Sequence, residues 1–146
     1  MARILIINGP NINLLGTREP AIYGTTTYTD LLKLIQEHCH LRQVGYKIVQ
    51  SNHEGYIVDA IQNAPEYFDG IVINPAAYTH TSVAILDALK AVGLPAVEIH
   101  ISNVDSREPF RQISYPGMYC FKTIKGEGVQ GYCTAIDALL EYLQNQ

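Results

Sequence analysis

Cysteine is scarce in this 146-residue chain: Cys39, Cys120 and Cys133 are the only three, and no two stand in a C-x-x-C. An odd number cannot all pair, which excludes a disulfide scaffold, and the missing pair motif excludes a zinc ribbon. Reduced thiols in a cytoplasm are the expectation. Positive charge is also short. Ten Lys and Arg face fourteen Asp and Glu, a formal net charge of −4 at pH 7, whereas a dedicated nucleic-acid binder shows a basic face. No apolar run approaches the roughly 18 residues of a membrane span. The apolar start at 4–7 meets Asn8-Gly9-Pro10 at once, too soon for a signal peptide. The cofactor fingerprints are missing too: no G-x-G-x-x-G follows the first apolar run, and there is no G-x-x-x-x-G-K-[ST] and no G-x-S-x-G. Dinucleotide, P-loop and α/β-hydrolase chemistry are therefore not indicated. The loop Gly9-Pro10-Asn11-Ile12-Asn13 lacks the hydroxyls that would cradle a flavin phosphate, and no acidic pair marks a phospho-receiver.

What is present is a 47% hydrophobic composition, enough to build a core, in a length that fits one domain over 1–146. Short β-branched runs at 4–7, 46–50, 70–73, 96–101 and 119–124 alternate with stretches of helical period. Leu31, Leu34, Ile35 and His38 recur at i, i+3, i+4 and i+7, with Gly45 as the expected stop. Ile57, Ala60, Ile61 and Ala64 repeat the pattern before Pro65. Val83, Leu86, Leu89 and Val92 do so up to Gly93, and Ala135, Ile136, Leu139, Leu140 and Leu143 form a last helix face. Such alternation calls for a parallel sheet covered on both faces. The expected fold is α/β: a flavodoxin-like, doubly wound, five-stranded parallel sheet with helices on both faces. A (β/α)8 barrel would need about 250 residues.

In open α/β sheets ligands bind beyond the carboxyl ends of the strands. Those ends read Asn8-Gly9-Pro10-Asn11, Ser51-Asn52-His53, Asn74-Pro75 and His100-Ile101-Ser102-Asn103, with Lys125-Gly126-Glu127-Gly128 at the fifth. Four of the five therefore offer neutral polar groups. The connection 16–24 is long for a βα loop and holds Arg18 and Tyr23. A phenol is a poor base at pH 7, but a neighbouring guanidinium can lower its pKa by roughly 1–3 units; packing of Tyr23 and solvation of Arg18 is the plainer alternative. Glu98 and His100 stand two apart on a strand and so share a face. A carboxylate on one ring nitrogen fixes the tautomer and raises the basicity of the other, which suits proton transfer, though a purely structural pair reads equally well. The segment from Asn74 to Ser82 enters a helix N-terminus, a place for an anion or for an ordinary Ser or Thr cap. Arg107 and Arg111, at i and i+4 of a short helix, would share a face toward a carboxylate or polyol, or toward solvent. His38 and His40 do not share a helix face, so no metal site is expected.

Taken together, three collinear stretches closely resemble the type II 3-dehydroquinate dehydratases: NGPNINLLGTREPAIY at 8–23, INPAAYTHTSVAILDAL at 73–89 and VEIHISNVDSREPFRQISY at 97–115. Gly131-Tyr132 before the last helix fits as well. The resemblance implies removal of water from 3-dehydroquinate to give 3-dehydroshikimate in the shikimate pathway. It also implies no metal or organic cofactor and a homododecamer of four trimers. It identifies Tyr23 as the base that takes the proton α to the ketone and Arg18 as the residue that keeps this tyrosine ionised. Asn11 matches the residue positioning a water on the enolate, His100 the acid that protonates the departing hydroxyl, and Glu98 its orienting partner. Asn74, His80, Arg111 and the Ile101-Ser102 backbone match groups that bind substrate, and Asp87 one that reaches a neighbouring subunit's site.

The five lysines lie outside the matched motifs, which argues for an enolate rather than a Schiff base. Leu86 stands where many members carry Arg, Asp105 replaces a common His, and the fifth strand is more basic than usual. A flavin or nucleotide module of the same fold would retain absorbance or a phosphate ligand. A non-catalytic binder could dispense with Tyr23, Arg18 and His100 together, and all three are kept.

Overall fold

A computed structural model describes residues 1–17, 21 and 25–146. Its sheet is built from β1 (Arg3–Asn8), β2 (Gly45–Gln50), β3 (Gly70–Asn74), β4 (Ala96–His100) and β5 (Lys122–Lys125). All pairings are parallel, in the order β2-β1-β3-β4-β5. Among the described residues four α-helices accompany it: α1 (Tyr28–Arg42), α2 (Glu54–Asn63), α3 (Val83–Val92) and α4 (Gly131–Gln144).

Alternate residues of each central strand enter opposite layers, because a strand has a side-chain period of two. Ile4, Ile6, Val72, Val97 and Ile99 pack with Leu31 and Ile35 of α1 and with Tyr132, Ile136 and Leu139 of α4. Leu5, Ile7, Ile71, Ile73 and Ala96 pack on the other side with Ile57 and Ile61 of α2 and Ile85 and Leu89 of α3. Burial on both faces explains the unbroken apolar runs of these strands, and the doubly wound architecture is as expected.

Local chemistry fixes the helix ends. Thr27 and Asp30 form a reciprocal capping box at the start of α1, each side chain accepting from the other's backbone N–H at 3.1 Å. Ser82 Oγ accepts from the Ile85 N–H at 2.9 Å and caps α3, and Gly93 closes that helix at φ 69°. The expected stop of α1 at Gly45 is displaced: Gln43 takes the left-handed position at φ 57°, and Gly45 already opens β2.

The fifth strand starts at Lys122 rather than at 119. Pro116–Met118 forms a 3-10 turn, the Tyr119 hydroxyl donates to the Leu94 carbonyl, and Phe121 stacks on Tyr142 at 4.3 Å between centroids. Val83, expected on the core face of α3, is exposed, while Ile85, Leu86, Ala88 and Leu89 are buried. Cys39, Cys120 and Cys133 are free thiols, and burial pushes Cys39 up to about 11. Among the described residues no helix is long and apolar enough to cross a membrane.

Candidate active site

The sheet reverses direction of growth between β1 and β3, and in such folds the crevice at that point takes the ligand. Here Asn8 and Asn74 end the two strands in register. Beyond them Gly9 brings two backbones together: its N–H donates to the Asn74 carbonyl at 2.8 Å, and a Cβ there would meet the Pro75 carbonyl oxygen at 2.4 Å. The chain then turns through Asn11 at φ 70°, a left-handed conformation that asparagine tolerates better than most side chains. Its N–H is held by Asn52 Oδ1 at 3.0 Å, and Gln50 Nε2 donates to the Gly9 carbonyl.

These turns open a cleft of about 150 Å³ whose wall includes Asn11, Asn74, His80, His100, Ser102 and Arg111. Ile101 lines it too. Asp87 does not join this wall; it is exposed on α3. A larger cavity of about 780 Å³ shares Ile101, Ser102 and Arg107 with the cleft, and its lining includes Ala21 of the long first loop and Thr26 just after it. Tyr23 and Arg18, on that loop, lie outside the described residues.

His100 and Glu98 lie side by side as their spacing on β4 requires. The ring Nε2 is 2.9 Å from Glu98 Oε2, and both side chains are nearly inaccessible to water. Two hydroxyls also donate to this carboxylate, Ser114 to Oε2 at 2.5 Å and Thr123 to Oε1 at 2.8 Å. Burial pushes the Glu98 carboxyl up, but the hydrogen bond and charge of His100, with the two hydroxyls, outweigh it and hold the group below its ordinary range. An ionised carboxylate only accepts, so Nε2 carries the proton toward it and Nδ1 is the nitrogen left for proton exchange.

His80 is oriented in the opposite sense. Its Nδ1 is 2.7 Å from the Ile113 carbonyl, an acceptor only, so Nδ1 donates and Nε2 is an acceptor when the ring is neutral. Desolvation, with the nearby charges of His100 and Arg111, outweighs that carbonyl and keeps His80 below the usual imidazole range.

The two arginines do not share a short helix. Pro109 begins a separate turn, Pro109–Arg111, and Arg107 caps the turn Val104–Ser106 in an extended conformation. Both nonetheless reach the cleft wall, and Arg111 pairs with Glu108. The N-terminus of α3 is occupied by its own Ser82 cap, and a 3-10 turn, Ala76–His80, intervenes between Asn74 and that helix. His38 is engaged by Asp137 at 2.7 Å. Among the described residues no three His, Cys, Asp or Glu gather as metal ligands. Ser114 and Thr123 were not singled out from sequence; Thr123 is placed opposite Glu98 by the β4–β5 register, which the sequence does not reveal.

The family model for dehydroquinase class II matches residues 2–140. The chain belongs to the class II dehydroquinases. A 3-dehydroquinate dehydratase of Caldicellulosiruptor saccharolyticus is 50% identical over 144 residues, 98% of this chain and 99% of that protein. Catabolic 3-dehydroquinase 1 of Aspergillus terreus is 55% identical over 92% of this chain and 88% of its own length. The crystal structure of type II dehydroquinase from Butyrivibrio crossotus superposes with a TM-score of 0.94 at 50% identity, covering 95% of this chain and 97% of that one. A class II dehydroquinase is a hydro-lyase.

Proposed function

We propose that this cleft converts 3-dehydroquinate to 3-dehydroshikimate through an enolate. The phenolate of Tyr23 takes the proton α to the ketone, and the C–H pair of electrons moves onto the carbonyl oxygen. Collapse of that enolate expels the β-hydroxyl, which leaves as water with a proton from His100. Arg18 favours the phenolate by charge. Asn11 holds a water against the developing oxyanion, where a fixed donor acts most strongly. Asn74, His80, Arg111 and the Ile101-Ser102 backbone hold the substrate's hydroxyls and carboxylate. The elimination is redox-neutral and needs no electron carrier, and no cofactor is invoked.

The observation that supports this reading best is the buried Glu98–His100 pair, whose remaining ring nitrogen belongs to a residue of the cleft wall. Its carboxylate stays charged, so the imidazole can hold a proton and still give it up to a leaving hydroxyl. A Schiff base finds no support. Lys33, Lys47, Lys90, Lys122 and Lys125 are all exposed and none lines the cleft, whereas an imine-forming lysine is activated by desolvation or a cationic neighbour.

The assembly that fits this reading is a cytoplasmic homododecamer of four trimers. Asp87, exposed on α3, would reach the cleft of a neighbouring subunit; the exposed Ile113 and Met118 line a pocket with Arg111, whose guanidinium lies 5.2 Å from the centroid of the exposed Phe110 ring. Sedimentation of the purified protein as a monomer with full activity would overturn this assembly.

The reaction is tested by mixing metal-free protein with 3-dehydroquinate and following the ultraviolet absorbance of the conjugated enone, with and without borohydride. Growth of absorbance insensitive to borohydride is expected. Inactivation by borohydride in the presence of substrate would overturn the enolate route, and no absorbance change from assembled protein would overturn the activity.

A further inference from the structure

Behind the cleft a buried polar chain runs from Asn74 through Tyr132 to Asn8, and neither Tyr132 nor Asn8 has a part in the reaction as proposed. Tyr132, at the start of α4, is fully buried, and its hydroxyl sits 2.7 Å from Asn8 Oδ1 and 2.9 Å from Asn74 Nδ2. Asn8 is itself fully buried and Asn74 nearly so. All three occupy the sheet face covered by α1 and α4: Asn8 and Asn74 follow the parity of Ile6 and Val72, and Tyr132 packs among those residues. His100 and Glu98 have the parity of Ala96 and belong to the opposite face.

Donor and acceptor arithmetic fixes every proton in the chain. Asn8 Oδ1 can only accept, so the single phenolic proton of Tyr132 goes to it. Tyr132 must then accept from Asn74, which places Nδ2 and not Oδ1 against the hydroxyl. From the other side the Ala76 N–H donates to Asn74 Oδ1 at 3.1 Å, and Ala76 holds φ 53° there, a left-handed conformation costly for alanine. Burial pushes the Tyr132 phenol well above its ordinary value, which keeps it a neutral donor.

We propose that Tyr132 is a positioning residue for Asn74: its hydroxyl locks the Asn74 amide so that one N–H and one oxygen lone pair are presented together to a substrate hydroxyl in the cleft. A hydroxyl accepts one hydrogen bond and donates another, so the locked amide complements it in one orientation only. This rests on the reading of Asn74 as a substrate contact. Among the described residues, without the Tyr132 hydroxyl only the Ala76 N–H restrains the amide, and its nitrogen and oxygen are free to swing.

The test is steady-state kinetics of Tyr132→Phe, of Asn74→Ala and of the double variant with 3-dehydroquinate, with thermal denaturation of each. Tyr132→Phe is expected to raise KM roughly three- to tenfold, the worth of one neutral hydrogen bond, with kcat unchanged. In the Asn74→Ala background it is expected to have no further effect on KM. Equal effects in both backgrounds, or an unchanged KM in Tyr132→Phe beside a raised KM in Asn74→Ala, would overturn the positioning role alone. An unchanged KM in Asn74→Ala would instead overturn the contact on which it rests. Should Tyr132→Phe fail to fold, Asn8→Ala removes the acceptor while leaving Tyr132 and Asn74 in place; a raised KM supports the role and an unchanged one overturns it.

Discussion

Glu98 and His100 point from the same face of β4 and meet at 2.9 Å through Nε2. Because the carboxylate consumes Nε2–H, only Nδ1 is left for the proposed protonation of a leaving group. Glu98→Gln leaves the shape intact but removes the charge and lets the imidazole take the wrong tautomer. We expect kcat to fall by about 10²–10⁴-fold, the span of a positioned acid and of a mis-set imidazole in a catalytic triad. Exchange of the α-proton with solvent deuterium should survive, since that step is assigned to Tyr23. Loss of exchange in step with turnover would place His100 in both proton transfers.

Gly117 guards this carboxylate from the other side. Its N–H donates to Ser114 Oγ at 2.9 Å, and an added Cβ would come within 2.7 Å of both Glu98 Oε1 and Ser114 Oγ. Gly117→Ala should therefore lower kcat and stability together. Ser114→Ala takes a donor from a buried carboxylate, a loss of about 1.5–3 kcal/mol for a hydrogen bond to a charged group. Thr123→Val should cost less, because Thr123 is exposed and water can replace it. Urea midpoints of the three variants give the order, and a Thr123→Val loss larger than that of Ser114→Ala would contradict it.

Acid should weaken the fold in two stages. His80 holds its proton below the ordinary 6.5, so as pH falls through that value the unfolded chain takes up a proton that the folded one refuses, and stability declines. Glu98 is held below 4.5; its contribution is complete above that value and is lost as pH falls through the lower folded one. Denaturation midpoints from pH 7 to well below 4.5 should show both declines. His80→Gln should flatten the upper stage and leave the lower.

Tyr23→Phe removes the proposed base while keeping the ring. Turnover should vanish while binding of a substrate-like carboxylate, measured by calorimetry, is largely retained. Near-normal turnover in this variant would remove Tyr23 from the mechanism.

Much of the architecture is legible in the residue pattern. Parity alone places Glu98 with His100, and the alternation of apolar runs and helical periods gives a sheet wound on both sides. What parity does not give is register: Thr123 reaches Glu98 only because β5 pairs with β4 at that offset, and Tyr132 reaches Asn8 across 124 residues of chain. Other departures come from local competition. Gln43 stops α1 before Gly45 because an adequate left-handed residue comes first. At Tyr119 and Phe121, side chains of strand-forming type are drawn into contacts with Leu94 and Tyr142 after the Pro116 turn. Pro109 divides the segment whose spacing suggested one helix for Arg107 and Arg111.

The placement of Tyr132 has a consequence for how the molecule is made. Synthesis delivers β1, β3 and β4 before α4, yet the hydroxyl that joins Asn8 to Asn74 arrives only with the 14 residues of that last helix. A nascent chain can therefore assemble a sheet edge with the right side chains and still lack the bond that locks one of them. Full ligand affinity, rather than binding as such, should arrive together with amide protection of α4 in pulse-labelled refolding.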